Sequence, residues 1–402
     1  MKALLIKGSS TYGVLRLFTD ELADAFRTAG WTVQILDIEN PAHAHRPLGD
    51  YAGDGPFDLV FSFGLFGEVA DERGRSVGEM VGAPHVVQYV DYPLSHLTRL
   101  EQTSPRAALL MVDESHVAAI GSLYPADRFA TVRFSPHAAT GGTVSPGADP
   151  GDFAARRPIR LLFPGSSYGD PPTGWRHQPP AVQKVFLEAV EIALAGDRTP
   201  PLEALDQAMA AAGLDPADPD FSGFRKLATY VHEHVRAVRR NRLLASVISL
   251  GLPVHIAGGG HDPDLARHRN VTLLGEVGIG DILALMAGSR IVLNANANFV
   301  AGSHERPLSA LNAGAVAATD SSAFYAANFE PGAEMAVFRW TRLDEDLAAI
   351  GALAEDPEAA FAIASAGQRR VVEGHLWAHR IPGIVAAAHV ARLKTAQPVH
   401  RQ

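Results

Sequence analysis

Ile291–Asp320 reads IVLNANANFVAGSHERPLSALNAGAVAATD, and this stretch decides the fold. An apolar run, IVLNA, enters a polar turn that ends in Gly302-Ser303. His304, Glu305 and Arg306 follow at once, then a short helical pattern (Leu308, Leu311), Gly314 and a second apolar run. The spacing predicts strand, polar loop, helix start and strand. In open α/β sheets ligands bind outside the carboxyl ends of strands. A helix start there presents free N–H groups and the positive end of the macrodipole. A cation and an anion at that point fit a charged, hydroxyl-rich ligand.

Working outward, the same alternation recurs. Toward the N-terminus, Ala3–Ile6 reads as a buried strand running into Gly8-Ser9-Ser10-Thr11-Tyr12-Gly13. Leu15, Phe18, Leu22, Ala25 and Phe26 then recur at helical spacing, Gly30 stops the helix, and WTVQILDI supplies the next strand. This is a βαβ unit. FDLVFSFG (57–64), APHVVQYV (83–90), ALLMVD (108–113) and FATVRFSP (129–136) continue the sheet. Residues 138–158 are rich in Gly, Pro, Ala and Asp, a linker composition. IRLLFPGSSYGD (159–170) then restarts the strand–glycine pattern, and residues 172–250 read as mostly helical. PVHIAG (253–258), NVTLLG (270–275), the opening stretch and AVFRW (336–340) rebuild a sheet before an Ala-rich helical tail, Leu343–Lys394.

The predicted fold class is therefore α/β, two Rossmann-like domains facing each other across a cleft. The expected boundaries are 1–150, 151–375 with a helical insertion at about 172–250, and 376–402 returning to the first domain. A chain of 402 residues suits two cores rather than one.

Composition narrows the function. Apolar residues make up 47% and charged residues 20%, as in soluble globular proteins. The net charge, 35 − 44 = −9, disfavours wholesale nucleic-acid binding, so an anionic ligand needs a local basic pocket. The absence of cysteine excludes disulfides, thiolate metal sites and Cys nucleophiles. MKALLIKGSS has too short an apolar run for a signal segment, and no run approaches the roughly 20 apolar residues of a membrane span. A cytoplasmic protein is expected, with peripheral membrane contact and oligomerisation left open.

The segment NVTLLGEVGIGDILALMAGSRIVLNANANFVAGSHERPLSALNAGAVAATDSSAF (270–324) resembles the nucleotide-sugar half of GT-B glycosyltransferases. Its pattern is most similar to the spore-maturation (CgeB-type) glycosyltransferase-like group. VDYPLSH (90–96), VDESHVAAIGSLYP (112–125) and FSPHAA (134–139) extend the resemblance into the N-terminal half. It implies a metal-independent sugar transfer from a UDP-, GDP- or TDP-type donor to an unidentified acceptor, with no resident cofactor. The same fold also serves non-catalytic binding modules and sugar-nucleotide epimerases.

The candidate residues follow. Arg306 suits the donor diphosphate, having a permanent charge and a planar fork of donors; an ion pair with Glu305 is its structural alternative. His304 suits a phosphate or sugar oxygen, and Ser303 either the ligand or a helix cap. Gly165-Ser166-Ser167 is a glycine turn that phosphate can approach. By resemblance, Gly275, Glu276 and Val277 lie along the base. Asn294, Asn296 and Asn298 share one face of an extended segment, which could line the cleft. Where many enzymes of the broader retaining clan carry a ribose-binding Glu, this chain has Ser309, with Glu305 as the loop alternative. Acceptor-side candidates are Gly8, Ser9, Ser10, Tyr12, Gly13, Tyr92, Asp113 and His116. The catalytic candidates are the Asp91–His96 pair as general base for an inverting transfer, His137 near the donor sugar for a retaining one, and Arg306.

Other signals read as structural. Asp218-Pro219-Asp220 is a turn rather than a metal-binding DxD. His232-Glu233-His234 lacks the i, i+4 spacing of a zinc helix. Arg236, Arg239, Arg240 and Arg242 read as a solvated helix face, and Gly258-Gly259-Gly260 as a plain turn.

Overall fold

The computed structural model describes residues 1–64, 66–296 and 299–395. Asn298 lies outside the described residues.

Close packing divides the chain into two units, Met1–His137 with the segment from Leu376 onward, and Ala138–His375. The first unit holds β1 (Lys2–Lys7), β2 (Thr32–Asp37), β3 (Leu59–Phe63), β4 (His85–Tyr89), β5 (Ala108–Met111) and β6 (Thr131–Phe134). They form one parallel sheet in the order β2-β1-β3-β4-β5-β6. Buried on both faces, its central strands are continuous apolar runs such as LVFSF in β3 and ALLM in β5. One face packs Leu4, Ile6, Leu36, Val60 and Val77 with Tyr51 and Phe57.

The second unit holds β7 (Ile159–Pro164), β8 (Val254–Ala257), β9 (Val271–Gly275), β10 (Ser289–Asn294), β11 (Val316–Asp320) and β12 (Ala336–Phe338). All pairs are parallel, in the order β12-β11-β10-β7-β8-β9. Counted within the unit, this is the dinucleotide-binding order. The chain runs outward from β7 to β9, then returns to β10 on the other side of β7. The switch point is the gap between the carboxyl ends of β7 and β10, where Gly165 and Asn294–Asn296 stand. Phe153, Leu161, Phe163, Leu243, Val247, Ile291, Leu293 and Trp340 lie in the core beneath it.

The linker-like segment differs from its composition. Residues 138–149 belong to the second unit rather than ending the first. Ala139 N–H donates to His375 O (2.8 Å), Thr140 N–H to Ser309 Oγ (3.0 Å) and Val144 N–H to Asn312 O (3.0 Å). Asn312 Nδ2 donates in turn to Gly141 O (2.7 Å). Small residues let this strap lie close against the helix Glu305–Asn312, and satisfied backbone groups keep it there. Gly314, at φ 73°, closes that helix; a Cβ there would lie 2.5 Å from Val144 O. The buried Arg157 donates to Ala313 O (2.9 Å) and Gly314 O (3.1 Å), holding the helix exit from the other side. Among the described residues no helix is long and apolar enough to cross a membrane.

Candidate active site

Arg306 sits at the switch point of the second sheet. It opens the helix Glu305–Asn312, whose N-cap position is His304. Its Nη1 donates to Pro164 O at the end of β7 (2.9 Å) and to Asn294 Oδ1 at the end of β10 (3.2 Å). One guanidinium nitrogen therefore bridges the two strands that flank the crevice. Its Nη2 lies 2.8 Å from His304 Nε2. Arginine can only donate, so Nε2 accepts and the neutral imidazole carries its proton on Nδ1. That Nδ1–H faces Glu305 Oε2 in a very short contact. The approach of Arg306 N–H to Nδ1, at 3.4 Å, is then a contact rather than a cap. Glu305 also lies 3.7 Å from Arg306 Nε. Carboxylate, imidazole and guanidinium form one chain that fixes the fork. Among the described residues, three of the five guanidinium N–H groups have acceptors within hydrogen-bond distance, and Nε faces Glu305.

The loops after the neighbouring strands are sewn to this point. Gly165 N–H donates to Ala257 O (2.8 Å), Ser167 N–H to Gly259 O (2.9 Å) and Gly258 N–H to Gly275 O (2.8 Å). Gly259 N–H donates to Ser166 Oγ (3.3 Å), and His261 Nε2 lies 2.6 Å from Gly165 O. Gly258 is more than a plain turn: a Cβ there would stand 2.5 Å from the Gly165 carbonyl carbon and oxygen. Gly275 and Glu276 are exposed and Val277 half-buried, with Glu276 beside Gly259. The expected donor-side residues of the β7, β9 and β10 loops thus meet at one carboxyl edge.

Several of them serve the protein rather than a ligand. Asn294 and Asn296 are buried. Asn294 Nδ2 donates to Thr319 Oγ1 (3.1 Å) while its Oδ1 holds Arg306. Asn296 Oδ1 accepts from His304 N–H (3.1 Å) and its Nδ2 donates to Phe299 O (2.9 Å). Asn294 and Asn296 thus use their amides within the protein, Asn296 tying Phe299 to His304. Asp320 anchors Asn296, accepting from its N–H in a short bond and from Trp340 Nε1 (2.9 Å). Burial holds its carboxyl above the usual range. Gly302 O accepts from Ser322 Oγ (2.8 Å). Ser303 is fully buried and does not cap the helix. Ser309 is buried too, its hydroxyl accepting from the strap at Thr140. Inward burial leaves it no access to a ribose.

In the first unit, Gly8–Gly13 forms the turn after β1. Gly13, at φ 78°, donates to Ser10 O (3.1 Å), and Ser10 Oγ accepts from Leu15 N–H (3.3 Å). Ser9 is exposed; Gly8 and Tyr12 are half-buried. Asp91 and His96 meet, Oδ2 to Nε2 at 3.8 Å, with Asp91 exposed and His96 half-buried. The other acceptor-side candidates lie in the interior. Asp113 is fully buried and caps the helix Glu114–Leu123 through Ser115 N–H (2.7 Å). His116 is buried edge-on to buried Tyr92 (5.2 Å), and His137 edge-on to Phe18 (5.9 Å). The pattern of polar residues after strand ends fitted a surface equally well; helix capping and ring packing account for these four.

The arginine run also differs from expectation. Arg239 and Arg240 are buried. Arg239 Nη2 donates to Ala193 O (2.9 Å) and Gly196 O (2.6 Å). Arg240 Nη1 donates to Ser166 O (2.7 Å), which brings it to the crevice loop. Sequence reasoning missed Arg240, Tyr168, His261 and Gly258; the glycine run after β8 was the one signal that pointed there.

The sucrose-phosphate synthase of Thermosynechococcus elongatus superposes on the chain with TM-score 0.51 at 12% identity, covering 98% of this chain and 100% of that one. A Rickettsia africae glycosyltransferase gives 0.49 at 11%, covering 97% and 98%. Anabaena HepE, solved with UDP and glucose, gives 0.47 at 11%, covering 99% and 100%. The first of these likenesses, with the two six-stranded parallel sheets, defines the class: the GT-B fold of glycosyltransferases. Residues 236–386 match the family model described as glycosyl transferase-like. That segment carries Arg240, the β8–β12 strands and Arg306. No curated protein matches the chain by sequence.

Proposed function

We propose that the chain transfers a glycosyl group from a nucleotide sugar of the UDP, GDP or TDP type to a hydroxyl acceptor, without a metal ion. The observation that carries this reading is Arg306, held by Pro164 O and Asn294 Oδ1 at a Rossmann-type switch point and at a helix start. A leaving diphosphate needs fixed positive charge, and a preset guanidinium supplies it without reorganisation. The Gly165–Ser167 turn is the neighbouring phosphate contact, and Gly275–Val277 follows the base. In the first unit, the Asp91–His96 pair is assigned the acceptor proton. We further place the chain with the CgeB-type group, on the sequence resemblance of residues 270–324.

The test is a thermal-shift and titration screen with nucleotides and nucleotide sugars. A nucleoside diphosphate or its sugar raises the melting temperature of the wild type, and Arg306→Ala removes the shift. Binding unchanged by that substitution contradicts the assignment. Transfer measured in excess EDTA is expected to match the untreated rate; loss restored by a divalent cation contradicts the metal-free mechanism.

A further inference from the structure

Three consecutive carbonyls at the exit of β7, from its last residue Pro164 to Ser166, each meet a side chain from a different element. Pro164 O accepts from Arg306, Gly165 O faces His261, and Ser166 O accepts from Arg240. Arg240 comes from the helix Ala228–Ser249, at the end of the helical insertion. It is 4% exposed, and among the described residues no carboxylate pairs with it. Its Nε has no hydrogen-bond partner among the described residues. In place of a carboxylate it has an aromatic face: its guanidinium lies 4.0 Å from the Tyr168 ring centroid and 5.7 Å from that of Phe163. Arg236, one turn earlier, lies 4.1 Å from the same Tyr168 ring.

A buried cation without an anion is costly unless something else holds it, and a cation–π contact replaces only part of a paired charge. Burial pushes Arg240 down to about 10, and the charges of Arg306 and Arg236 push the same way. What sets Arg240 apart from other buried arginines held by carbonyls is its place at the loop that also holds Arg306, where a second positive charge fits an anion from outside the chain. Pro164 and Ser166 are two residues apart, about 7 Å in extended chain. Two guanidiniums fixed to those two carbonyls suit two linked phosphates better than one.

We propose that Arg240 is a second phosphate-binding cation, delivered to the crevice by the helical insertion, and that it makes the site selective for a diphosphate over a monophosphate. Tyr168 is a positioning residue that holds Arg240 through its ring. The proposal rests on the anion-binding reading of Arg306 given above and assigns the insertion to that same site.

The experiment titrates the full chain with inorganic pyrophosphate, orthophosphate and UDP. Wild type is expected to bind pyrophosphate about tenfold or more tighter than orthophosphate, the margin of one extra charge-assisted contact. Arg240→Gln weakens pyrophosphate and UDP by about tenfold or more and leaves orthophosphate within about threefold. Wild-type pyrophosphate selectivity in Arg240→Gln overturns the proposal. Should that buried substitution fail to fold, the Tyr168 pair decides. Tyr168→Ala weakens pyrophosphate several-fold, whereas Tyr168→Phe, which keeps the ring, restores it. Equal binding by Tyr168→Ala and wild type overturns the proposal. Loss of binding in Arg306→Ala with full selectivity in Arg240→Gln removes only the Arg240 assignment. No binding of any of the three probes by wild type removes the nucleotide-sugar reading as well.

Discussion

The two sheets share a parallel design and a glycine-bearing turn after their first strand, yet the cations beside those two turns are held differently. In the first unit the cations beside the β1 turn meet carboxylates. Lys7 Nζ meets Asp20 at 2.6 Å. Arg16 forms a two-pronged pair with Asp37 (2.7 and 3.0 Å), and Glu39 stands 3.1 Å away. The guanidinium beside it holds the Asp37 carboxyl below the usual range. In the second unit Arg306 and Arg240 are bonded mainly to carbonyls, and Arg240 and Arg236 lie against an aromatic ring. Glu305 Oε1 lies 3.7 Å from Arg306 Nε. The β1 end of the first edge pairs its cations with carboxylates, whereas carbonyls and an aromatic ring hold the arginines at the β7–β10 crevice. Topology alone does not make an anion site, because the balance of fixed charge at the crevice decides it.

The largest effect expected from this difference is on ligand binding. Arg306→Ala should weaken nucleoside diphosphate binding about a hundredfold or more, since it removes a charged contact and frees Asn294, His304 and Pro164 O together; calorimetry checks it. Next comes Gly258→Ala. The added Cβ overlaps the Gly165 carbonyl at 2.5 Å, so the turn after β7 must move. Denaturant unfolding should show a loss of about 3 kcal/mol, with ligand affinity falling in parallel.

A smaller effect belongs to the first unit. His85 is buried, lies 2.9 Å from Ser62 Oγ, and burial pushes its pKa down to about 3 from 6.5. The unfolded chain takes up a proton below pH 6.5 that the folded chain refuses. Stability is therefore lost as pH falls from about 6.5 toward 3, at up to about 1.4 kcal/mol per pH unit from this group. Melting curves across that range should flatten in His85→Gln; an unchanged acid slope contradicts the assignment. The smallest effect is Arg16→Ala. Its pair is half-open to solvent, so about 1 kcal/mol of stability is at stake, with nucleotide binding unchanged.

Much of this was legible in the sequence, and what was not has a common cause. The strands showed as apolar runs because parallel sheets bury both faces, and FDLVFSFG or IRLLFP need no distant partner to be read. Arg306 was legible because strand end, polar turn and helix start are contiguous. Arg240 was not: Arg236, Arg239, Arg240 and Arg242 look like a solvated stripe, and the partners of Arg239 and Arg240, which are Ala193 O, Gly196 O and Ser166 O, are remote in sequence. Asn294 and Asn296 misled for the same reason, since their acceptors and donors come from β11 and the far side of the loop. Asp113 looked like a catalytic carboxylate at a strand end, where a helix cap occupies the same position and the same residue type. The linker-like 138–149 strap had the composition of a free loop, and only its bonds to Ser309 and Asn312 reveal it as part of the second unit.

The central claim is tested most directly by titrating UDP against three proteins side by side: wild type, Arg306→Ala and Arg16→Ala. The charge balance at the two edges predicts that Arg16→Ala binds as wild type does while Arg306→Ala loses binding. Equal binding by all three, or loss confined to Arg16→Ala, would contradict it.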